Sequence, residues 1–219
     1  GRPCRRVQSF GSLSVFRPEM KPEGATARCA DGCAVEAECP FSALRIYPGS
    51  DRWLQHKDTP GQDEASVREW LSRTNYGRCV YQLDNDVLDH QTVNMEFEGG
   101  ITAAFSMEGL TSYGGRRTRI MGSRGDLVGD ERRLDVYDFG ERRRYEWTVA
   151  EHAETLGGHG GGDFGLTRDW VQAIARRDES LLTSTLAASM ESHLMGFTAE
   201  ESRHEGGTLK VIPEGELPT

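Results

Sequence analysis

The 219 residues contain no run of about 18 apolar residues, so the sequence predicts no membrane-spanning helix. No positively charged start leads into an apolar stretch, so no secretory signal is read. Basic residues are in deficit, 26 Lys and Arg against 35 Asp and Glu, and the formal net charge of -9 is the opposite of a nucleic-acid footprint. Cysteine is sparse, and its count of five is odd and clustered. That argues for a reducing, cytoplasmic setting rather than a disulfide framework. No internal repeat is visible. An initiating methionine is also lacking: the chain begins at Gly1 and runs straight into strand-like sequence, and we read it as part of a longer protein whose natural N-terminus is missing.

A chain of this length buries roughly 70% of its unfolded surface, so it needs neither disulfide nor metal to build a core. Residues 4 to 16 read as a strand, with rough alternation from Arg6 onward. Pro18, Pro22 and Gly24 break it. Cys39-Pro40 predicts a short helix start, with Phe41, Leu44 and Tyr47 on one face. Asp63 or Ser66 caps a second helix whose Val67, Trp70 and Leu71 point inward, and residues 76 to 83 read as extended.

The period-2 pattern is clearest over residues 91 to 107. Val93, Met95 and Phe97, then Ile101, Ala103, Phe105 and Met107, alternate with polar or small residues around Glu98-Gly99-Gly100. This predicts an antiparallel hairpin with one buried face. Further strands are expected at 117–121, 126–128, 134–138 and 145–149. The period then becomes helical, over Asp163 to Arg177 with Asp163 as N-cap, and over Thr183 to His204. Leu209, Val211 and Ile212 read as a last strand. The expected fold class is α+β: a large, open, mostly antiparallel sheet with helices packed on one face. Residues 1–213 form the domain and 214–219 a polar tail.

Three stretches carry candidate chemistry. Cys29, Cys33 and Cys39 follow a C-x3-C-x5-C spacing. Zinc favours tetrahedral Cys/His sets with short Cys spacings, because four donors must converge at about 2.3 Å. Cys29 and Cys33 fit, and Cys39 supplies a third donor; a fourth would come from Cys79, Cys4, His56 or His90. The same residues read equally as reduced thiols without a ligand, or as a disulfide. Second, Leu156-Gly157-Gly158-His159-Gly160-Gly161-Gly162-Asp163 places a histidine among five glycines before a helix, either an active-site loop or a flexible linker. Its formal match to a dinucleotide fingerprint lacks the βαβ setting and is rejected. Third, Asp84-Asn85-Asp86-Val87-Leu88-Asp89-His90-Gln91 precedes the best strand and reads as a polyol or metal site, or as an ordinary solvated turn.

Taken in order, Ser9-Phe10-Gly11-Ser12-Leu13, Lys21-Pro22-Glu23-Gly24-Ala25, Cys39-Pro40-Phe41-Ser42-Ala43, Tyr76-Gly77-Arg78-Cys79-Val80-Tyr81, the Asp84–Gln91 run and Gly158-His159-Gly160-Gly161-Gly162-Asp163 resemble a branch of the glucose-fructose oxidoreductase / inositol dehydrogenase (Gfo/Idh/MocA) family. The resemblance covers the C-terminal domain of that family. It implies a substrate-binding and dimerising domain of an NAD- or NADP-dependent oxidoreductase acting on a sugar, polyol or related cyclic alcohol. The nicotinamide cofactor is held mainly by an N-terminal Rossmann domain outside this stretch, and homo-oligomers form through the sheet face. Many relatives carry an Asp-x3-His pair on the first helix of this domain, and none occurs here. The resemblance therefore leaves His159 as acid or base and Asp163 as its support, with Asp86, His90, Gly160 and Gly161 contacting substrate. It also names Cys79 as fourth zinc ligand with Cys29, Cys33 and Cys39. Two alternatives stay open: an NAD-dependent glycosidase of the same family, and a non-catalytic, metal-stabilised assembly module.

Overall fold

The computed structural model describes residues 2–48, 63–149 and 161–213. The chain runs β1 (Cys4–Ser12), α1 (Ala43–Ile46), α2 (Glu64–Arg73), β2 (His90–Phe97), β3 (Ile101–Glu108), β4 (Thr118–Met121), β5 (Gly125–Gly129), β6 (Arg133–Asp138), β7 (Arg143–Thr148), α3 (Gly162–Arg176), α4 (Leu186–His204) and β8 (Lys210–Val211). This is the expected α+β class, but the strands form two four-stranded sheets rather than one, in the orders β3-β2-β1-β8 and β4-β5-β6-β7. The chain divides into two compact units. The first holds Arg6–Leu110 and Ala199–Lys210; the second holds Gly1–Arg5, Thr111–Thr198 and Val211–Thr219. Among the described residues no helix is long and apolar enough to cross a membrane.

In the first unit, β1 turns Val7 and Ser9 inward. The Ser9 amide donates to the buried Ser202 hydroxyl at 2.9 Å, and that hydroxyl donates to the Thr208 carbonyl at 2.6 Å. A buried hydroxyl is thereby satisfied, as burial requires. The β2–β3 hairpin has the expected register, with Val93 opposite Phe105, Met95 opposite Ala103 and Phe97 opposite Ile101. Glu98, Gly99 and Gly100 form its three-residue loop, and the two glycines turn it with φ of 82° and 77°, in the left-handed region that glycine adopts without strain. Its apolar face, expected to be buried, is covered only at Val93; Ile101 and Phe105 stay half exposed.

Asp63 caps α2 by accepting from the Ser66 amide at 3.0 Å, which satisfies one of the orphan N–H groups of the first turn. Val67, Trp70 and Leu71 then point inward as the spacing predicts. They pack with Ala43, and Cys29, Leu44 and Tyr47 lie against them. Trp70 stacks on Tyr76 with centroids 4.8 Å apart. Helix α1 starts at Ala43, three residues later than the helix expected from Cys39-Pro40. Residues 33–42 are instead used in turns, such as Glu36 N–H to Cys33 O and Ser42 N–H to Cys39 O, and the Ser42 hydroxyl donates to Glu36 at 2.6 Å. Residues 76–83, expected to be extended, instead fall largely in two 3-10 turns, Asn75–Gly77 and Val80–Gln82. Gly77 is required at the end of the first, because a β-carbon there would lie 2.0 Å from the Leu71 carbonyl oxygen.

In the second unit, β4 to β7 pair antiparallel. Their register puts Ile120, Leu127, Val136 and Tyr145 in one cross-strand row, with Thr118, Gly129, Leu134 and Trp147 beside it. The reverse face carries Arg119, Asp126, Asp135, Arg144 and Glu146, since side chains alternate along a strand. There Arg119 pairs with Asp126 at 3.4 Å and Arg133 with Glu146 at 2.8 Å. None of the apolar row is fully buried. Helix α3 is capped by Gly161 at φ 90°, not by Asp163, which sits in the first turn with its carbonyl accepting from the Thr167 hydroxyl at 2.9 Å. A glycine in the left-handed region starts the helix earlier than an aspartate cap would. Its Leu166, Trp170, Val171 and Ile174 stripe is exposed.

Candidate functional site

Two arrangements in the first unit bring chemically able side chains together. The first is a thiol cavity. Arg28 bridges Arg78 in antiparallel fashion, with Cys29 N–H bonded to the Gly77 carbonyl at 3.1 Å and Cys79 N–H to the Ala27 carbonyl at 2.9 Å. Neighbours on either side of a bridged residue point to one face, so Cys29 and Cys79 share a face opposite the two arginines. The Arg28 guanidinium reaches back to the carbonyl of Leu71 at 2.7 Å and to that of Thr74, where it complements the C-terminal end of α2. The turns after Cys29 return Cys33 and Cys39 to the same place. All four thiols line one cavity of about 20 Å³, with Pro22, Val35, Phe41 and Tyr81 on its wall. None of the five cysteines is in a disulfide.

The thiols are not equivalent. Burial pushes the Cys29 thiol up, against a backbone N–H from Ala43. Burial acts the same way on Cys33, but N–H groups of Thr26 and Val35 and the Thr26 hydroxyl outweigh it and hold that thiol below its ordinary value. Among the described residues, no group of three or more His, Cys, Asp or Glu stands at the spacing of a bound ion. The zinc set expected from the sequence is thus gathered around one cavity without the convergence of a formed ion site. The turns and the bridge fix the backbone that carries the four thiols on the cavity wall.

The second arrangement is a carboxylate–imidazole pair at the mouth of β2. Asp89 has a side chain only 3% exposed, and His90 beside it is 43% exposed. Asp89 accepts from the Ser14 amide at 2.9 Å, the Ser14 hydroxyl at 2.9 Å, the Val15 amide at 2.7 Å and His90 Nδ1 at 2.9 Å. Burial alone would raise its pKa, but these donors win and hold the carboxyl well below the usual carboxylate range. A carboxylate only accepts, so the bond places a proton on His90 Nδ1; in the neutral imidazole Nε2 is then the acceptor, 3.4 Å from the Ser12 hydroxyl. The geometry is that of a base held in one tautomer by a buried acid.

Of the residues singled out in the sequence, Cys29, Cys33, Cys39 and Cys79 come together, and His90 gains a partner. Asp86 is exposed and stands apart from that pairing; the partner is Asp89, three residues on. Gly161 and Asp163 sit at the start of α3 in the second unit. His159 and Gly160, like His56, lie outside the described residues. Asp89 was read only as one of three acids in the candidate stretch before β2, and Ser12 was not singled out as a site residue. The only sequence signal was an Asp-His dipeptide opening a strand, and the partners Ser14 and Val15 are some 75 residues away.

No family model matches the chain. It is 23% identical over 184 residues to YteT of Bacillus subtilis (strain 168), a protein named as an oxidoreductase, covering 77% of this chain and 42% of YteT. Among solved structures, an oxidoreductase domain protein from Kribbella flavida is similar with a TM-score of 0.56 and 18% identity, over 96% of this chain and 46% of its own. An inositol dehydrogenase homologue from Azotobacter vinelandii, solved with NAD+, is similar with a TM-score of 0.50 and 13% identity, over 95% of this chain and 43% of its own. The chain therefore spans less than half the length of each of these proteins, and it shares its fold with the two solved structures, in keeping with the Gfo/Idh/MocA resemblance carried by its motifs.

Proposed function

We propose that these residues form the substrate-binding and assembly domain of an NAD(P)-dependent oxidoreductase acting on a sugar, polyol or related cyclic alcohol, with the dinucleotide held by a domain outside the 219 residues. The observation that carries the reading is the Asp89–His90 pair. NAD(P)+, when bound, supplies the hydride acceptor for an alcohol C–H. This chain's part is to take the hydroxyl proton, and His90 Nε2 is presented for that, with Asp89 stabilising the imidazolium that forms. The Ser12 hydroxyl, 3.4 Å away, marks the direction from which a substrate hydroxyl would approach. His90 thus takes the place of the missing Asp-x3-His histidine. The resemblance adds His159 as a second acid or base, Asp163 as support for its loop, and Asp86, Gly160 and Gly161 as substrate contacts. The apolar row of β4 to β7 is the proposed contact between copies.

The test is steady-state kinetics of the full-length protein with NAD+ and NADP+ over a panel of sugars and polyols. His90→Ala is expected to lower kcat by about 100- to 10,000-fold with cofactor affinity unchanged, and Asp89→Asn to lower it by less. An unchanged kcat in folded His90→Ala overturns the role of His90; failure of the wild type to turn over any member of the panel overturns the substrate class.

A further inference from the structure

The cavity ringed by Cys29, Cys33, Cys39 and Cys79 is separate from the proton chemistry above and has its own logic. At about 20 Å³ it has room for one water-sized guest, and four thiols share its wall with apolar groups and with the polar Thr26, Glu36 and Ser42. Thiolates are strong ligands for soft metals. The sulfurs also come from backbone that is already fixed. Cys29 and Cys79 flank the Arg28–Arg78 bridge. Cys33 follows Gly32, whose φ of 71° turns the chain. The Cys39 amide is tied to the Val35 carbonyl at 2.9 Å.

We propose that Cys29, Cys33, Cys39 and Cys79 together hold a thiophilic metal centre that pins the 24–42 segment to the 77–81 segment. A single thiophilic ion matches the size of the cavity, with the four thiolates as its ligands. The fifth cysteine, Cys4, lies in the second unit and takes no part.

The experiment is metal and sulfide analysis of the full-length protein, purified with and without exclusion of air. One zinc or other thiophilic divalent ion per chain supports the proposal; iron with matching sulfide and visible charge-transfer absorption overturns it in favour of a cluster, which the cavity is too small to hold. Cys39→Ser and Cys79→Ser are expected to lose at least ten-fold in metal content, while Cys4→Ser keeps it. Should those variants fail to fold, thiol alkylation of the wild type read by mass spectrometry decides: the four thiols are expected to be protected until a chelator or oxidant strips the metal. Metal-free protein from both preparations, full metal in folded Cys39→Ser, or alkylation of the four thiols unchanged by stripping overturns the proposal.

Discussion

The two units differ in how far they cover their apolar residues, although the β2–β3 hairpin of the first also leaves Ile101 and Phe105 exposed. In the first, Val7, Val67, Leu71, Cys79 and Tyr81 are buried within the unit, and polar groups such as Ser9, Asp89 and Ser202 are buried with partners. In the second, a sheet and a helix with clear apolar faces leave Ile120, Tyr145, Trp147, Trp170 and Ile174 exposed. An amphipathic pattern states only which face is apolar; whether that face is covered depends on what lies opposite. The first unit therefore reads as the place where stability and chemistry are set, and the second as surface awaiting a neighbour.

Leu71→Ala should give the largest effect, because Leu71 is 1% exposed in the cluster with Val67 and Trp70. We expect a loss of about 2 to 5 kcal/mol in denaturant unfolding, and a loss below 1 kcal/mol would break the contrast. Asp89→Asn follows, at about 2 kcal/mol near neutral pH, for removal of a charged acceptor from buried partners. The sign with pH is fixed. The folded carboxyl lies below its unfolded value, so its contribution is complete above the ordinary carboxylate pKa of about 4 and is lost as pH falls below that. Wild-type stability measured from pH 6 downward should drop more steeply than that of Asp89→Asn; parallel curves would remove Asp89 from the account. Smallest is Ile174→Ala, 57% exposed on α3, expected to change stability by less than about 0.5 kcal/mol. A larger cost there would mean that the second unit is covered after all.

Elements with their own local signals were legible in the sequence. The register of β2 on β3 followed from alternation about Gly99-Gly100, and α2 with its Asp63 cap followed from spacing and capping chemistry. The early start of α3 was not legible, because the N-terminal turn is set by Gly161 in the left-handed region rather than by the better cap Asp163. The 3-10 turns around Gly77 depend on close approach to Leu71, a contact that no local pattern announces. In the site, C-x3-C-x5-C suggested convergence, but Cys79 was only one of four candidates for a fourth donor until the resemblance singled it out, since its place comes from the Arg28–Arg78 bridge. Asp89 looked like one acid among several. What distinguishes it is burial against Ser14 and Val15, which the fold brings to it from β1's far end.

The Arg28–Arg78 bridge has a consequence in time. It joins residues 50 positions apart, and closing a loop of that length costs about 3 kcal/mol in chain entropy before any contact repays it. Local pieces such as α2 form without that cost, so the seam between Ala27–Cys29 and Gly77–Cys79 closes late in folding and opens early in native-state fluctuations. The amides of Cys29 and Cys79, each bonded across the seam, are its clocks: their hydrogen-exchange rates report how often the four-thiol wall parts.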